Sequence, residues 1–270
     1  WVGTGEGNPR NSQTSGRGIY RSLDRGNTWQ CMGLEETKTI HRICIDAQDN
    51  VYAAALGSAW GPNQDRGVFY YNNQNKNWKK ILYVNDSTGC ADLVMDPRND
   101  QKLLAAMWQY QRQPWQFNSG GNGSGLYITA NGGQDWKKMG EKEGLPKGKL
   151  GRIGLAIAPS DPRIVYAMIE SEKTALYKST DGGYHWSMVT EKGVDDRPFY
   201  YSEFYVDPQN PNHLIYLHSI VSESIDGGKS WTTMLPYWGV HPDHHAFWWN
   251  PINTAEMWEG NDGGLNVSRD

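Results

Sequence analysis

One eight-residue phrase constrains this chain more than anything else in it. Ser-x-Asp-x-Gly-x-x-Trp occurs at Ser22–Trp29, Ser179–Trp186 and Ser224–Trp231. Thr129–Trp136 keeps the form with Asn131 in place of Asp, and Tyr71–Trp78 is a worn copy. A sixth copy starts at Ser268-Arg269-Asp270. In such a phrase the short Asp or Asn side chain accepts backbone N–H bonds a few residues on and closes a turn. The glycine supplies a positive φ that other residues resist. The closing Trp begins a return strand and carries a large apolar area inward.

Short strand patterns precede the phrases: Gly18-Ile19-Tyr20, Gly67-Val68-Phe69-Tyr70, Gly125-Leu126-Tyr127-Ile128 and Ala175-Leu176-Tyr177. Trp29, Trp78, Trp136, Trp186 and Trp231 fall 45 to 58 residues apart. A unit of that length with several short strands is the signature of propeller blades. The predicted fold is therefore all-β, a propeller of four-stranded antiparallel blades. The unit at 151–190 shows the plan: strand 151–158, an Asp161-Pro162 turn, strand 164–169, strand 176–179, the phrase, and strand 186–189. Near-continuous apolar runs in the first two strands fit strands covered on both faces. The units run approximately 41–83, 91–139, 151–190 and 200–235, with partial ones at 1–40 and 244–270. The missing first strand of one partial unit and the missing last strand of the other do not substitute for each other. A segment of a longer propeller, part of a larger chain or assembly, is expected.

Composition narrows the function. Thirteen Trp and fifteen Tyr against five Phe suit amphipathic surfaces as well as strand packing. A net charge of −4 leaves no electrostatic footprint for nucleic acid. No apolar run is long enough for a membrane-spanning helix. Cys31, Cys44 and Cys90 are odd in number and lack Cys-x-x-Cys spacing, so neither a zinc knuckle nor a disulfide framework is implied. No cofactor is expected.

Function is expected on the face opposite the repeated turns, where the loops are long and irregular. Those loops interleave aromatic, amide and guanidinium groups with glycine, a composition that stacks on sugar rings or peptide side chains and hydrogen-bonds their polar groups. The candidate ligand-binding residues are Glu6, Asn8, Arg10, Trp60, Asn63, Arg66, Trp108, Arg112, Trp115, Arg152, Tyr200, Tyr201, His244, His245, Asn261 and Asp262. The alternative for Trp60, Trp108 and Trp115 is that they pack long loops onto the blades. His241-Pro242-Asp243-His244-His245 is the densest titratable stretch. On a strand, His241, Asp243 and His245 would share a face. They are the residues placed to ligate a divalent metal, although a polar cluster held by hydrogen bonds is the preferred reading and no metal is expected. For glycoside hydrolysis, which needs two carboxylates across a cleft, Asp92 and Asp243 are the best pair, at equivalent positions three units apart.

The repeated phrase resembles the Asp box, or BNR repeat, of sialidases, xyloglucanase-type glycoside hydrolases and sortilin-type propellers. Sialidase-like chemistry would draw on Arg10, Arg152, Tyr200, Tyr201 and Glu203, but the Arg-Ile-Pro motif is absent, Arg152-Ile153-Gly154 being the nearest approach. Residues 3–11, 55–57, 60–63, 92–97 and 243–246 are similar to the bacterial secreted propellers grouped with the sortilin N-terminal domain. That resemblance implies an extracytoplasmic propeller that binds peptide, protein or polysaccharide. A glycoside hydrolase is the alternative, and a structural propeller in an envelope assembly is the third.

Overall fold

The computed structural model describes residues 1–269, so Asp270, the third residue of the sixth phrase, lies outside the described residues. The chain forms six antiparallel sheets arranged as the blades of a propeller. The first holds β1 (Val2–Gly3), β2 (Ile19–Arg21) and β3 (Gln30–Cys31). The second holds β4 (Ile40–Ile45), β5 (Val51–Ala55), β6 (Gly67–Asn72) and β7 (Asn77–Leu82). The third holds β8 (Thr88–Asp96), β9 (Asn99–Gln113), β10 (Gln116–Ser119), β11 (Gly125–Thr129) and β12 (Lys137–Lys138). The fourth holds β13 (Ile153–Ile157), β14 (Val165–Ile169), β15 (Ala175–Ser179) and β16 (Ser187–Thr190). The fifth holds β17 (Phe204–Val206), β18 (Leu214–Leu217), β19 (Val221–Ser224) and β20 (Thr232–Leu235). The sixth holds β21 (His244–Trp249), β22 (Met257–Asn261) and β23 (Gly264–Ser268). No helix of the described residues is long and apolar enough to cross a membrane.

The apolar runs are continuous because each inner strand serves two cores. Successive side chains of a strand point to opposite faces. In β9, Leu103, Ala105 and Met107 pack toward the second sheet, and Leu104 and Ala106 pack toward the fourth. In β14, Val165, Ala167 and Ile169 face the third sheet, and Tyr166 and Met168 face the fifth. In β18 the split is Leu214 and Tyr216 against Ile215 and Leu217. Near the axis the strands approach more closely than a side chain permits. A Cβ on Gly154 would stand 1.8 Å from the Ser202 carbonyl oxygen.

The repeated turns share one wiring. In the Ser179 copy, the Ser179 hydroxyl donates to Asp181 at 2.8 Å and accepts from the Gly183 N–H at 2.8 Å. Asp181 accepts from the His185 N–H at 2.9 Å, and the Trp186 indole donates to the Gly183 carbonyl at 2.9 Å. Asp24 and Asp226 repeat the carboxylate bonds, and Asn131 reproduces them with its amide oxygen. The worn copy at Asn72 keeps only bonds from the Gln74 and Asn75 N–H groups.

These hydrogen bonds favour the ionised carboxyl. Bonds from Thr28 hold Asp24 down at about 2, and bonds from Ser230 do the same for Asp226. At Asp181 burial opposes the shift, but the His185 ring and N–H outweigh it and the value is again about 2. A carboxyl lower in the folded than in the unfolded state stabilises the fold above the unfolded value and loses that contribution as pH falls through the folded one. The turns therefore give up stability between pH 3.8 and about 2. Asp181→Asn, which installs the residue found at position 131, should flatten the fall of Tm across that window. Superimposable Tm–pH curves for wild type and variant would refute this.

Candidate functional site

The axis is held by one buried charge network. Arg42 on β4 donates to Asp92 of β8 at 3.1 Å and to Glu203, just before β17, at 3.1 Å. Asp92 also accepts the N–H of Leu93 at 2.9 Å and that of Leu155, on β13, at 2.8 Å. Burial pushes the Asp92 carboxyl above its usual range, and Arg42 and the Leu155 N–H only partly offset this. Burial also opposes the charge on Arg42, but Glu203 and Asp92 more than compensate and hold it cationic. Next to this network, His41 accepts from Arg152 at 3.0 Å and lies 3.5 Å from Glu203. Burial, with Arg42 and Arg152 alongside, keeps His41 neutral. A Cβ on Gly7 would stand 1.8 Å from His41 Nδ1, so only glycine lets the β1–β2 loop close over that ring.

Residues 108–118, expected as an irregular loop, instead extend β9 and return along β10. The hairpin lies across the loop end of the axis. The Arg112 N–H donates to the Ala59 carbonyl at 2.7 Å, and the Arg112 guanidinium reaches Asn11 of the β1–β2 loop. Phe117 packs 4.9 Å from Phe199, whose carbonyl accepts from Arg152 at 2.9 Å. Ser119 donates to Glu170 at 2.6 Å. Trp108 therefore does not face solvent. It is 0% exposed, stacked 4.3 Å from Tyr110, and its role is to pack the hairpin. Trp115, at the hairpin tip, is 79% exposed, and Trp60, beside Ala59, is 41% exposed.

What the hairpin leaves open is the seam where the first sheet meets the last. The Asn8 amide donates to His245 Nδ1 at 3.1 Å. A neutral His245 with an accepting Nδ1 carries its proton on Nε2, which lies 3.4 Å from the Tyr200 hydroxyl and 3.9 Å from Asp262 Oδ1. Burial lowers His245, and Glu203, Asp262 and Asp243 only partly restore it. The Tyr201 hydroxyl donates a short hydrogen bond to Asp243, and the Arg197 guanidinium sits 4.9 Å from the Tyr201 ring. Asp243 itself has a φ of 66°, a left-handed conformation uncommon for a non-glycine residue. Arg10, Glu6 and Asp262 contribute to the field at Tyr200. This cluster of hydroxyls, carboxylates and imidazole suits the recognition and proton chemistry of a polar, hydroxyl-rich ligand.

The other expected site residues are structural. Arg66 is buried and donates to Asn63 and to the carbonyls of Leu56, Ser58 and Gly61, so it folds its own loop. Asn63 also accepts from the Ser58 N–H. Arg152 is buried, and its interactions are those of the axial network. His244 is buried against Glu259 at 2.5 Å, and Asn261 is bonded to Glu259 and to the Gly263 N–H. His241, Asp243 and His245 do not share a strand face, because β21 begins only at His244 and Asp243 is left-handed. Among the described residues no group of three or more His, Cys, Asp or Glu side chains is arranged to hold a metal ion. A cavity of about 790 Å³ occupies the other end of the axis, from the turns at Asp46 and Pro97 inward to Arg42, Asp92 and Glu203. At its inner end Arg42, Asp92 and Glu203 are already paired with one another, which makes it a poorer candidate than the seam.

No family model matches the chain. It is 24% identical over 276 residues to the xyloglucanase Xgh74A of Acetivibrio thermocellus, a match covering 88% of this chain and 31% of that one. It is 24% identical over 279 residues to a xyloglucanase of Paenibacillus sp, covering 88% and 25%. The chain thus spans less than a third of the length of the curated relatives it matches. Among solved structures it superimposes on the GH74 xyloglucanase from Xanthomonas campestris with a TM-score of 0.61 at 18% identity, covering 93% of this chain and 40% of that one. An ancestral GH74 enzyme gives 0.69 at 16% identity, covering 98% and 36%. These structures share its propeller fold.

Removing one member of a buried charge network leaves its partners uncompensated, which costs about 3–5 kcal/mol. Arg42→Met should destabilise the chain by about that amount in urea unfolding, since it strands both Asp92 and Glu203. A loss below about 1 kcal/mol would mean that the network does not hold the axis.

Proposed function

We propose that this chain is the glycan-engaging propeller of an extracytoplasmic, glycoside hydrolase-type protein, with a neutral polysaccharide lying across its loop face. The observation that carries this is the pairing on one face of exposed flat aromatics, Trp60 and Trp115, with a polar seam of Tyr200, Asp243, His245 and Asp262. Indole faces cover the apolar faces of sugar rings, and carboxylates and phenols bond their hydroxyls. The seam mixes Glu6, Asp243 and Asp262 with Arg10 and Arg197, so it has no single-sign field to favour a polyanion. Similarity to xyloglucanases supports a β-glucan as the polymer. Such polymers are encountered outside the cytoplasm, in keeping with the extracytoplasmic setting that the resemblance to secreted propellers implies. The turn wiring supports reading the repeated phrases as Asp boxes.

One observation favours the rival reading, a propeller that binds without turnover: Asp92, the expected partner of Asp243, is locked by Arg42 and two backbone N–H groups. Affinity electrophoresis in gels containing xyloglucan or mixed-linkage β-glucan, with reducing-end release assayed in parallel, tests the common ground of both. The wild-type chain should be retarded by at least one of these polymers. Trp115→Ala should weaken retention about tenfold, the typical loss for an exposed aromatic anchor at a binding face. Migration unaffected by either polymer, with no release, would refute the glycan reading.

A further inference from the structure

The cavity at the turn end of the axis is built in layers, and the layers follow from strand alternation. Along a strand, residues two apart point the same way. The innermost layer is Arg42, Asp92 and Glu203, with Leu155 giving its N–H to Asp92. Two residues further toward the turns stand Cys44, Val94, Ile157 and Tyr205, one from each inner strand of the second to fifth sheets. Two residues further again, Asp46, Asp96 and Pro159 form the rim. Asp46 and Asp96 accept N–H groups of their own turns and are fixed by them.

The middle layer is an apolar ring. Each of its four side chains is half-buried and lines the cavity. None offers a free polar group. The Cys44 thiol donates to the Leu93 carbonyl at 3.4 Å, and the Tyr205 hydroxyl donates to Glu203 at 3.2 Å. Water standing against such a ring finds no side-chain partner, so an apolar body displaces it favourably. Beneath the ring, Arg42 gives Nε to Asp92 and Nη2 to Glu203, and its side chain is still 30% exposed. Its Nη1 has no partner among the described residues and stands as a donor at the bottom of an apolar shaft. At about 790 Å³ the space falls within the range of small-molecule sites.

We propose that this cavity is a second binding site, for an uncharged small molecule with an apolar body the size of one or two fused rings and a hydrogen-bond acceptor at its inner end. The body stands within the ring of Cys44, Val94, Ile157 and Tyr205, and the acceptor takes the remaining N–H of Arg42. Charge on the ligand is disfavoured. An anion would add a third negative group beside Asp92 and Glu203, a cation would meet Arg42, and either would lose hydration against the apolar ring. The site lies at the opposite end of the axis from the seam and is independent of the glycan reading.

Prodan, an uncharged naphthyl ketone whose emission shifts to the blue in apolar surroundings, is the probe. The wild-type chain should give a saturable blue shift at one molecule per chain. Val94→Phe and Ile157→Phe narrow the ring from two different sheets. Each should weaken binding about tenfold or more while keeping the wild-type near-UV circular dichroism. Methyl naphthyl ketone should displace Prodan about tenfold more effectively than ethylnaphthalene, which has the same rings and no acceptor, because a hydrogen bond from a charged donor is at stake. That comparison needs only the wild-type chain and holds where a variant fails to fold. The sixth sheet also exposes apolar surface at Trp248, Leu265 and Val267. Leu265→Lys is therefore the control and should leave the titration unchanged. Loss of the shift in Leu265→Lys with retention in both ring variants would place the probe on that sheet and overturn the assignment. A wild-type chain without a saturable shift, or equal displacement by the two naphthalenes, would overturn it as well.

Discussion

Arg42 is the group on which the architecture turns. A propeller sheet can twist and slide against its neighbours as long as only apolar side chains meet, because apolar contact is non-directional. The Arg42 guanidinium adds direction. It reaches Asp92 on the third sheet and Glu203 at the start of the fifth, and the other Asp92 oxygen takes the Leu155 N–H of the fourth. Four consecutive sheets are thereby registered at one point on the axis. Taking these charges out of water is expensive, and the network is tolerable because each member finds partners of opposite sign or a backbone donor. The network also divides the axis. On one side lies the cavity bounded by short turns, and on the other lie the β9–β10 hairpin and the open seam.

The fold was legible in the sequence because its signals are local. A Ser hydroxyl, an Asp carboxylate and a Gly within five residues suffice to wire a turn, and the Asn131 copy works because an amide oxygen accepts as a carboxylate does. The apolar runs of β9, β14 and β18 announced strands with two buried faces, and the six sheets follow. The hairpin was missed. Gln109 to Asn118 is polar and contains Pro114, which reads as a loop, yet Trp108, Tyr110 and Arg112 alternate with Gln109, Gln111 and Gln113 at the period of a strand. Pro114-Trp115 supplies the two-residue turn between the paired Gln113 and Gln116. Counting that alternation would have revealed both the hairpin and the burial of Trp108.

The site was legible in part, for a different reason. Which loops gather at one end of a propeller follows from strand order, so Asn8, Tyr200, Tyr201, Asp243, His245 and Asp262 could be named together. Which of them are free could not. Asp92 and Asp243 occupy equivalent positions in their units, but Arg42 lies fifty residues from Asp92 in sequence, and no local pattern shows that its side chain reaches there. Arg66 and Arg152 were expected to bind ligand from the loop face and are buried, each bonded to the chain's own carbonyls. Period-two alternation did separate His244 from His245. It failed at His241 because a left-handed residue interrupts the strand.

The seam lies where it does because the hairpin has taken the centre. Arg112, Phe117 and Ser119 tie the hairpin to the loops of the first, second, fourth and fifth sheets, so the loop end of the axis is roofed. A ligand approaching that face meets Trp115 on the roof and then the gap beside it, which Asn8 and His245 bridge with a single hydrogen bond. The scaffold's charges are spent in mutual pairing under the roof. Asp243, bonded by the Tyr201 hydroxyl, and Asp262 stand at its margin, next to an imidazole that burial holds neutral. The rigid parts neutralise one another at the centre, and the polar groups of the seam are left to the margin of the roof.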